Sequence, residues 1–230
     1  MKLLAVETST SACCVALSAG DDLLAETMVH LERGLSSELL AVIDGVLARG
    51  GVTMEELDGF GVGVGPGSFT SVRIGIATVT GLAIATGKPV ARFTSLEMLA
   101  LDAPYCRYPV CAVIDARKQE VYAGLYDVTD HPVEISAPRV AAPADIAAVL
   151  SGPVLLVGDG AGKYRSLFAE RLGPDAHFPD VFHHRPRPAN AVLLTRRAFS
   201  GGILSDASTV EPLYLRPSDA EIAREKKLSV

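Results

Sequence analysis

The chain is predicted to be an α/β protein made of two similar halves, and three observations predict it. An apolar strand closed by an acidic, polar turn occurs twice: Leu3 to Val6 ends in Glu7-Thr8-Ser9-Thr10-Ser11, and Cys111 to Ile114 ends in Asp115-Ala116-Arg117-Lys118-Gln119. A shift of 108 positions (115 minus 7) carries Glu7 onto Asp115 and Leu17 onto Leu125. Each half also has a later glycine turn between an apolar strand and a helical run, Gly63-Val64-Gly65-Pro66-Gly67 and Gly158-Asp159-Gly160-Ala161-Gly162. Glycine belongs where the backbone takes positive φ or another group comes very close. Finally, strand patterns are interleaved with helix patterns along the whole chain, as in a mixed sheet with helices on its faces.

Taken in order, Leu3 to Val6, Cys13 to Leu17 and Leu23 to Val29 read as an antiparallel meander, the last two joined at Gly20-Asp21-Asp22. Ser36 to Arg49 reads as a helix with an apolar stripe of Leu39, Leu40, Val42, Ile43, Val46 and Leu47, with Ser36 as N-cap and Gly50-Gly51 as stop. Gly61 to Val90 reads as a buried strand, a glycine turn and a helix with no ionisable side chain from Ile74 to Gly87. A helix lying on a sheet normally keeps one charged face, so small and apolar residues all round predict that both faces are covered. These fourteen residues fall short of the about 20 that a bilayer requires. The outer face is therefore expected to meet another protein surface. LDAPYCRYP, Leu101 to Pro109, breaks the periodicity and sets the expected domains at 1–101 and 102–218, with a charged tail over 219–230. In the second half Val121 to Tyr126 and Pro153 to Val157 read as strands, and Pro188 to Phe199 as a helix ended by Gly201-Gly202.

The 230 residues, 49% of them hydrophobic, supply a core for one large or two small domains. Net charge is −6, and the basic clusters are short: His183-His184-Arg185 with Arg187, and Lys226-Lys227. Each phosphate contact needs a cation, so tight nucleic-acid binding by this chain alone is not expected. Cys13, Cys14, Cys106 and Cys111 show no CxxC spacing and no histidine placed as co-ligand. Neighbours on a strand point to opposite faces, so Cys13 and Cys14 read as small buried hydrophobes of a reducing compartment. MKLLAVETST is too short for a signal peptide, and a cytoplasmic protein is expected, with no membrane segment.

Four motifs carry a resemblance: LAVETSTSACCVAL, GPGSFTSVRIGIATVTGLAIATGKP, DARKQEVYAGLY and EPLYLRPSDAE, in this order from Leu4 to Glu221. Together the chain resembles the TsaB (YeaZ) family, departing from it at Ser71, where glycine is usual, and at Glu7, where aspartate is usual. The resemblance implies a duplicated actin-like fold of the sugar kinase, heat-shock and actin ATPase type, with two mixed-sheet domains. It implies a non-catalytic subunit of the bacterial tRNA threonylcarbamoyladenosine synthase that pairs with the catalytic TsaD subunit. The small ATPase TsaE would be engaged through the complex, tRNA only indirectly, and the free chain would pair with itself as a homodimer. No cofactor is expected. The association surface is expected on the two helices, at Leu39, Val42, Ile43 and Val46 and at Gly75, Thr78, Val79 and Leu82.

The candidate chemistry is slight. Glu7, Thr8 and Ser9 stand where ATPases of this fold place their first phosphate loop, and hydroxyls with backbone amides at a hairpin tip can cradle phosphate. The same residues also make a turn that bonds its own backbone, and no lysine lies in it. Gly65, Gly67 and Ser68 precede a helix, whose N-terminus favours anions, but no G-x-x-x-x-G-K-[ST] motif is present. Asp115 and Arg117 are expected to pair and hold the second turn. His183-His184 reads as a solvated loop, and no HExxH is present. The related TsaD family has a metal-binding H-x-E-x-H after its helix and K-P turn; here Ser95 and Leu99 stand in the histidine positions, and leucine has no lone pair for a metal. Two rival readings remain: a small-molecule kinase or ATPase using Glu7, Asp115 and the glycine turns, and a peptidase, for which no metal site or activated nucleophile is found.

Overall fold

The computed structural model describes residues 1–31 and 34–217; the expected charged tail, 219–230, lies outside them. The first half builds β1 (Lys2–Glu7), β2 (Ala12–Ala19), β3 (Asp22–His30), α1 (Leu35–Gly50), β4 (Gly59–Gly63), α2 (Phe69–Thr86), β5 (Val90–Phe93) and α3 (Ser95–Ala100). The second builds β6 (Val110–Arg117), β7 (Glu120–Asp127), β8 (Val133–Ala141), α4 (Pro143–Val149), β9 (Val154–Val157), α5 (Asp159–Lys163), α6 (Arg165–Leu172), β10 (Ala176–His177) and α7 (Pro188–Ser200). The sheets run β3-β2-β1-β4-β5 and β10-β9-β6-β7-β8. Each is an antiparallel meander extended by two parallel strands, so β6 repeats the place of β1 and β9 that of β4.

The central strands are apolar on both faces because both faces are covered. Leu4, Val6, Cys13 and Val15 point towards α1 and α2, where they meet Leu39, Ile43, Val46, Val72 and Val79. Their alternates Leu3, Ala5, Ala12 and Cys14 point to the other side, against Ala191 and Val192 of α7. The period of two thus divides Cys13 from Cys14, and both are free and buried.

The halves exchange helices. α7, late in the chain, lies on the first sheet, whereas Leu96, Leu99 and Ala100 of α3 pack beneath the second, against Val110, Ala112 and Ile114. Where these helices meet, Asn190 Nδ2 donates to Asp102 Oδ1 at 2.9 Å and to the Met98 carbonyl at 3.1 Å. The side chain of Asp102 is sealed from solvent, with Arg187 Nε at 3.4 Å.

Three expectations need correction. The N-cap of α1 is Gly34, not Ser36: Gly34 takes a left-handed φ of 80° that starts the turn, and Ser37 Oγ donates back to its carbonyl at 2.8 Å. The glycine run at 158–162 does not merely precede a helix, because α5 is built from it. The third concerns the uncharged helix. α2 extends to 18 residues, and in length and composition it could cross a membrane. Its inner stripe of Val72, Gly75, Ile76, Val79 and Ala83 is core of the first sheet. Its outer stripe is uncovered in this chain: Thr70, Arg73, Ala77, Gly81 and Ile84 are exposed. Five of the eight residues expected to form an association surface, Leu39, Ile43, Val46, Gly75 and Val79, are therefore inside the chain's own core, while Val42, Thr78 and Leu82 are half-buried. The most apolar stripe of each helix is the one its own sheet takes.

Candidate functional site

A cleft of about 830 Å³ separates the halves at the carboxyl ends of β1, β4, β6 and β9, the end of parallel strands where open α/β sheets hold ligands. One wall carries hydroxyls, including Ser9, Ser68 and Ser71; the other carries Asp115, Arg117 and Asp159.

The first wall is held from behind by Glu7, which is fully buried. Its Oε1 accepts from the Ser9 backbone N–H, its Oε2 accepts from Ser95 Oγ at 3.1 Å, and Ser9 Oγ donates to Ser95 Oγ at 2.6 Å. Burial pushes the Glu7 carboxyl above the ordinary carboxylate range, while hydrogen bonds from Ser9 and Ser95 pull it back. Gly63 is required beside it, since a Cβ there would overlap the carboxylate. Thr8 Oγ1 donates away from the cleft to the Ser71 carbonyl at 2.8 Å, and the Gly65 carbonyl accepts from Ser95 N at 2.8 Å. Of the six phosphate-loop candidates, Ser9, Gly67 and Ser68 line the cleft, whereas Glu7, Thr8 and Gly65 stand behind it. The cleft-facing groups largely satisfy one another: Ser68 N donates to the Ser9 carbonyl at 2.7 Å, and the Ser68 and Ser71 hydroxyls pair at 2.9 Å.

On the second wall the expected Asp115–Arg117 ion pair is replaced. Asp115 Oδ2 faces Lys163 Nζ at 2.8 Å, and from Arg117 it is the backbone N–H that donates, to Oδ1 at 3.1 Å. Asp159 Oδ1 accepts from Asp115 N at 3.0 Å, and burial raises the Asp159 carboxyl against the pull of that bond. Arg117, Lys118 and Gln119 all have positive φ (63°, 50° and 63°). Left-handed backbone at three successive non-glycine residues is costly, and strain of this kind gathers at functional sites. His184 is buried rather than solvated: its ring faces Gly162, and burial lowers its pKa.

The C-terminal segment 210–217 crosses the cleft as a strap. Leu213 N donates to the Val64 carbonyl at 2.8 Å, and Tyr214 stacks on Phe69 with centroids 4.8 Å apart. Arg73 lies over the Phe69 ring at 3.8 Å and donates through Nε to Tyr214 Oη at 2.6 Å. Farther along, Arg216 pairs with Glu120 and donates to the Ala116 carbonyl at 3.0 Å. The strap thus ties α2 of the first half to the β6–β7 turn of the second. Nothing in EPLYLRP indicates this by itself, because Tyr214 and Arg73 are 141 positions apart.

The two positions weighed as metal ligands, Ser95 and Leu99, have other work here. Ser95 Oγ is spent on Glu7, and Leu99 is core. Among the described residues, no group of three His, Cys, Asp or Glu side chains is placed to hold a metal.

Two sheets of this order, exchanged helices and a cleft between them define the actin-like class shared by sugar kinases and related ATPases. The activator of the 2-hydroxyisocaproyl-CoA dehydratase from Clostridium difficile superposes with a TM-score of 0.50 at 10% identity, covering 93% of this chain and 100% of that one, and shares the fold alone. Within the class, the family model for TsaD, described as tRNA N6-adenosine threonylcarbamoyltransferase, matches residues 30–224. The tRNA threonylcarbamoyladenosine biosynthesis protein TsaB of Haemophilus influenzae is 31% identical over 235 residues, covering 94% of each chain. YeaZ from Pseudomonas aeruginosa is 32% identical with a TM-score of 0.81, covering 93% of this chain and 99% of that one. The chain belongs to the TsaB (YeaZ) family, and with it to tRNA threonylcarbamoyladenosine biosynthesis.

Proposed function

We propose that the chain is a non-catalytic cytoplasmic subunit of the threonylcarbamoyladenosine synthase, which binds TsaD and stabilises it in a competent conformation. TsaE would join through that complex. The observation that carries this reading is the uncovered stripe of α2. Ala77 and Gly81 are small and exposed, a Cβ at Gly81 would meet nothing within 4 Å, and Ile84 and, on α1, Leu40 are 65% and 51% exposed. A partner helix can approach such a stripe closely and bury those apolar residues. The proposed surface is therefore Leu40, Val42, Ala77, Thr78, Gly81, Leu82 and Ile84. The free chain would pair with itself through the same face, with 1–101 as the partner-binding domain and 102–218 as the second.

The test is reconstitution: threonylcarbamoylation of tRNA by TsaD and TsaE, with and without this chain. The reading expects turnover only when the chain is present, and background turnover from the chain alone. Turnover by the chain alone that is lost in Asp115→Ala contradicts it.

A second reading, a small-molecule kinase or ATPase, is favoured by the cleft alone. It requires nucleotide to raise the melting temperature, because a ligand at 100 times its Kd adds about 2.7 kcal/mol. The mutual pairing of Ser9, Ser68 and Ser71 weighs against it.

A further inference from the structure

We propose that Arg117, Lys163, Arg165, Arg185 and Arg187 form a surface beside the cleft that contacts the phosphodiester backbone of the substrate tRNA; the proposal rests on the reading of the chain as a subunit of a tRNA-modifying assembly. These five exposed cations come from three segments distant in sequence: the β6–β7 turn, the junction of α5 and α6, and the loop before α7. The structure brings the segments together. Lys163 reaches across to Asp115 at the base of the Arg117 turn. The neighbouring Gly162 faces the His184 ring, and Arg165 and His183 are close enough to His184 to disfavour its protonation. Arg187 Nη2 lies 3.3 Å from His183 Nδ1.

The nearby acids offset two of the five cations, Lys163 and Arg187, and leave Arg117, Arg165 and Arg185. Asp115 already faces Lys163, and Asp102 is sealed inside against Arg187. Asp159 is exposed at the cleft with its Oδ1 accepting from Asp115 N at 3.0 Å, and Asp180 is an exposed acid of the loop. The chain's acidity resides mostly elsewhere: residues 1–101 hold eleven acidic and six basic side chains, whereas 102–217 hold thirteen and twelve. The net charge of −6 therefore masks an uneven distribution.

Guanidinium groups suit phosphate because their donors match two oxygens at once. Arg165 is held over the Phe178 ring at 4.4 Å, which restrains where its charge points. So few cations bind weakly alone, and they gain effect when a partner holds the same RNA, since the second contact becomes intramolecular.

The experiment compares the wild-type chain with Arg165→Ala/Arg185→Ala and Arg165→Lys/Arg185→Lys, measuring tRNA binding by fluorescence anisotropy across a salt series. It is run on the chain alone at low salt and on its complex with TsaD. The alanine pair is expected to weaken binding about tenfold at low salt and to reduce the slope of log affinity against log salt by about 2, roughly 0.9 per phosphate contact. The lysine pair should keep most of the slope, and both pairs should capture TsaD as the wild type does. Wild-type affinity and slope in the alanine pair, or no binding of tRNA by the wild-type chain in either form, overturns the proposal. Failure of the wild-type chain to capture TsaD would sink the subunit reading instead, while the low-salt titration of the chain alone still decides this surface.

Discussion

Ser95 Oγ donates to Glu7 Oε2 at 3.1 Å, joining residues 88 positions apart beneath the cleft. The Ser95 hydroxyl, which also accepts from Ser9 Oγ at 2.6 Å, positions the hairpin turn. The first predicted consequence is structural. Glu7→Ala would leave the Ser9 N–H and the Ser95 hydroxyl without their acceptor in a dry site, at a cost of about 3 kcal/mol. Glu7→Gln keeps an acceptor and should cost less than half as much. Urea denaturation followed by circular dichroism measures both; a neutral Glu7→Ala would contradict the bracing role.

Asp102 is expected to make the stability of the fold pH-dependent. Burial pushes its carboxyl to about 7, against the pull of Arg187 and Asn190. The folded chain then holds a proton that the unfolded chain releases near the ordinary carboxylate pKa. Unfolding free energy should therefore fall as pH rises from about 4 to about 7, and this contribution should be flat above that. Asp102→Asn removes the titration, so its stability relative to wild type should increase between pH 5 and pH 8. A difference independent of pH would show that Asp102 ionises normally.

The strap should loosen without unfolding the domains. Tyr214→Ala removes the stack on Phe69 and the hydrogen bond from Arg73, contacts together worth about 1–3 kcal/mol. Hydrogen exchange at Leu213, whose amide donates to the Val64 carbonyl, should accelerate more than exchange in β1. Equal acceleration in both would mean that the strap is integral to the core.

Much of this was legible in the sequence. Glu7 and Asp115 end strands that begin the same meander, and the repeat survives because each half must bury the same kind of strand between helices. The exchange of α3 and α7 was not legible, because periodicity shows that a helix has an apolar face and not which sheet receives it. The same limit explains Val79: its stripe is the most apolar of α2 and is therefore core, whereas the outer stripe is marked only by the small size of Ala77 and Gly81. The Phe69–Tyr214 stack and the Asp115–Lys163 pair depend on long-range closure that no local pattern encodes.

The central claim is that the outer stripe of α1 and α2 holds TsaD. Leu40→Glu and Ala77→Glu place a charge on exposed positions, so both variants should keep the wild-type circular dichroism spectrum and melting temperature. A carboxylate desolvated without a partner at an interface costs several kcal/mol. The decisive measurement is capture of TsaD by each variant, with Val79→Glu, expected to unfold, marking the core side of the same helix. The account predicts that both folded variants lose TsaD binding by at least about a hundredfold, close to 2.7 kcal/mol; wild-type capture of TsaD by both would contradict it.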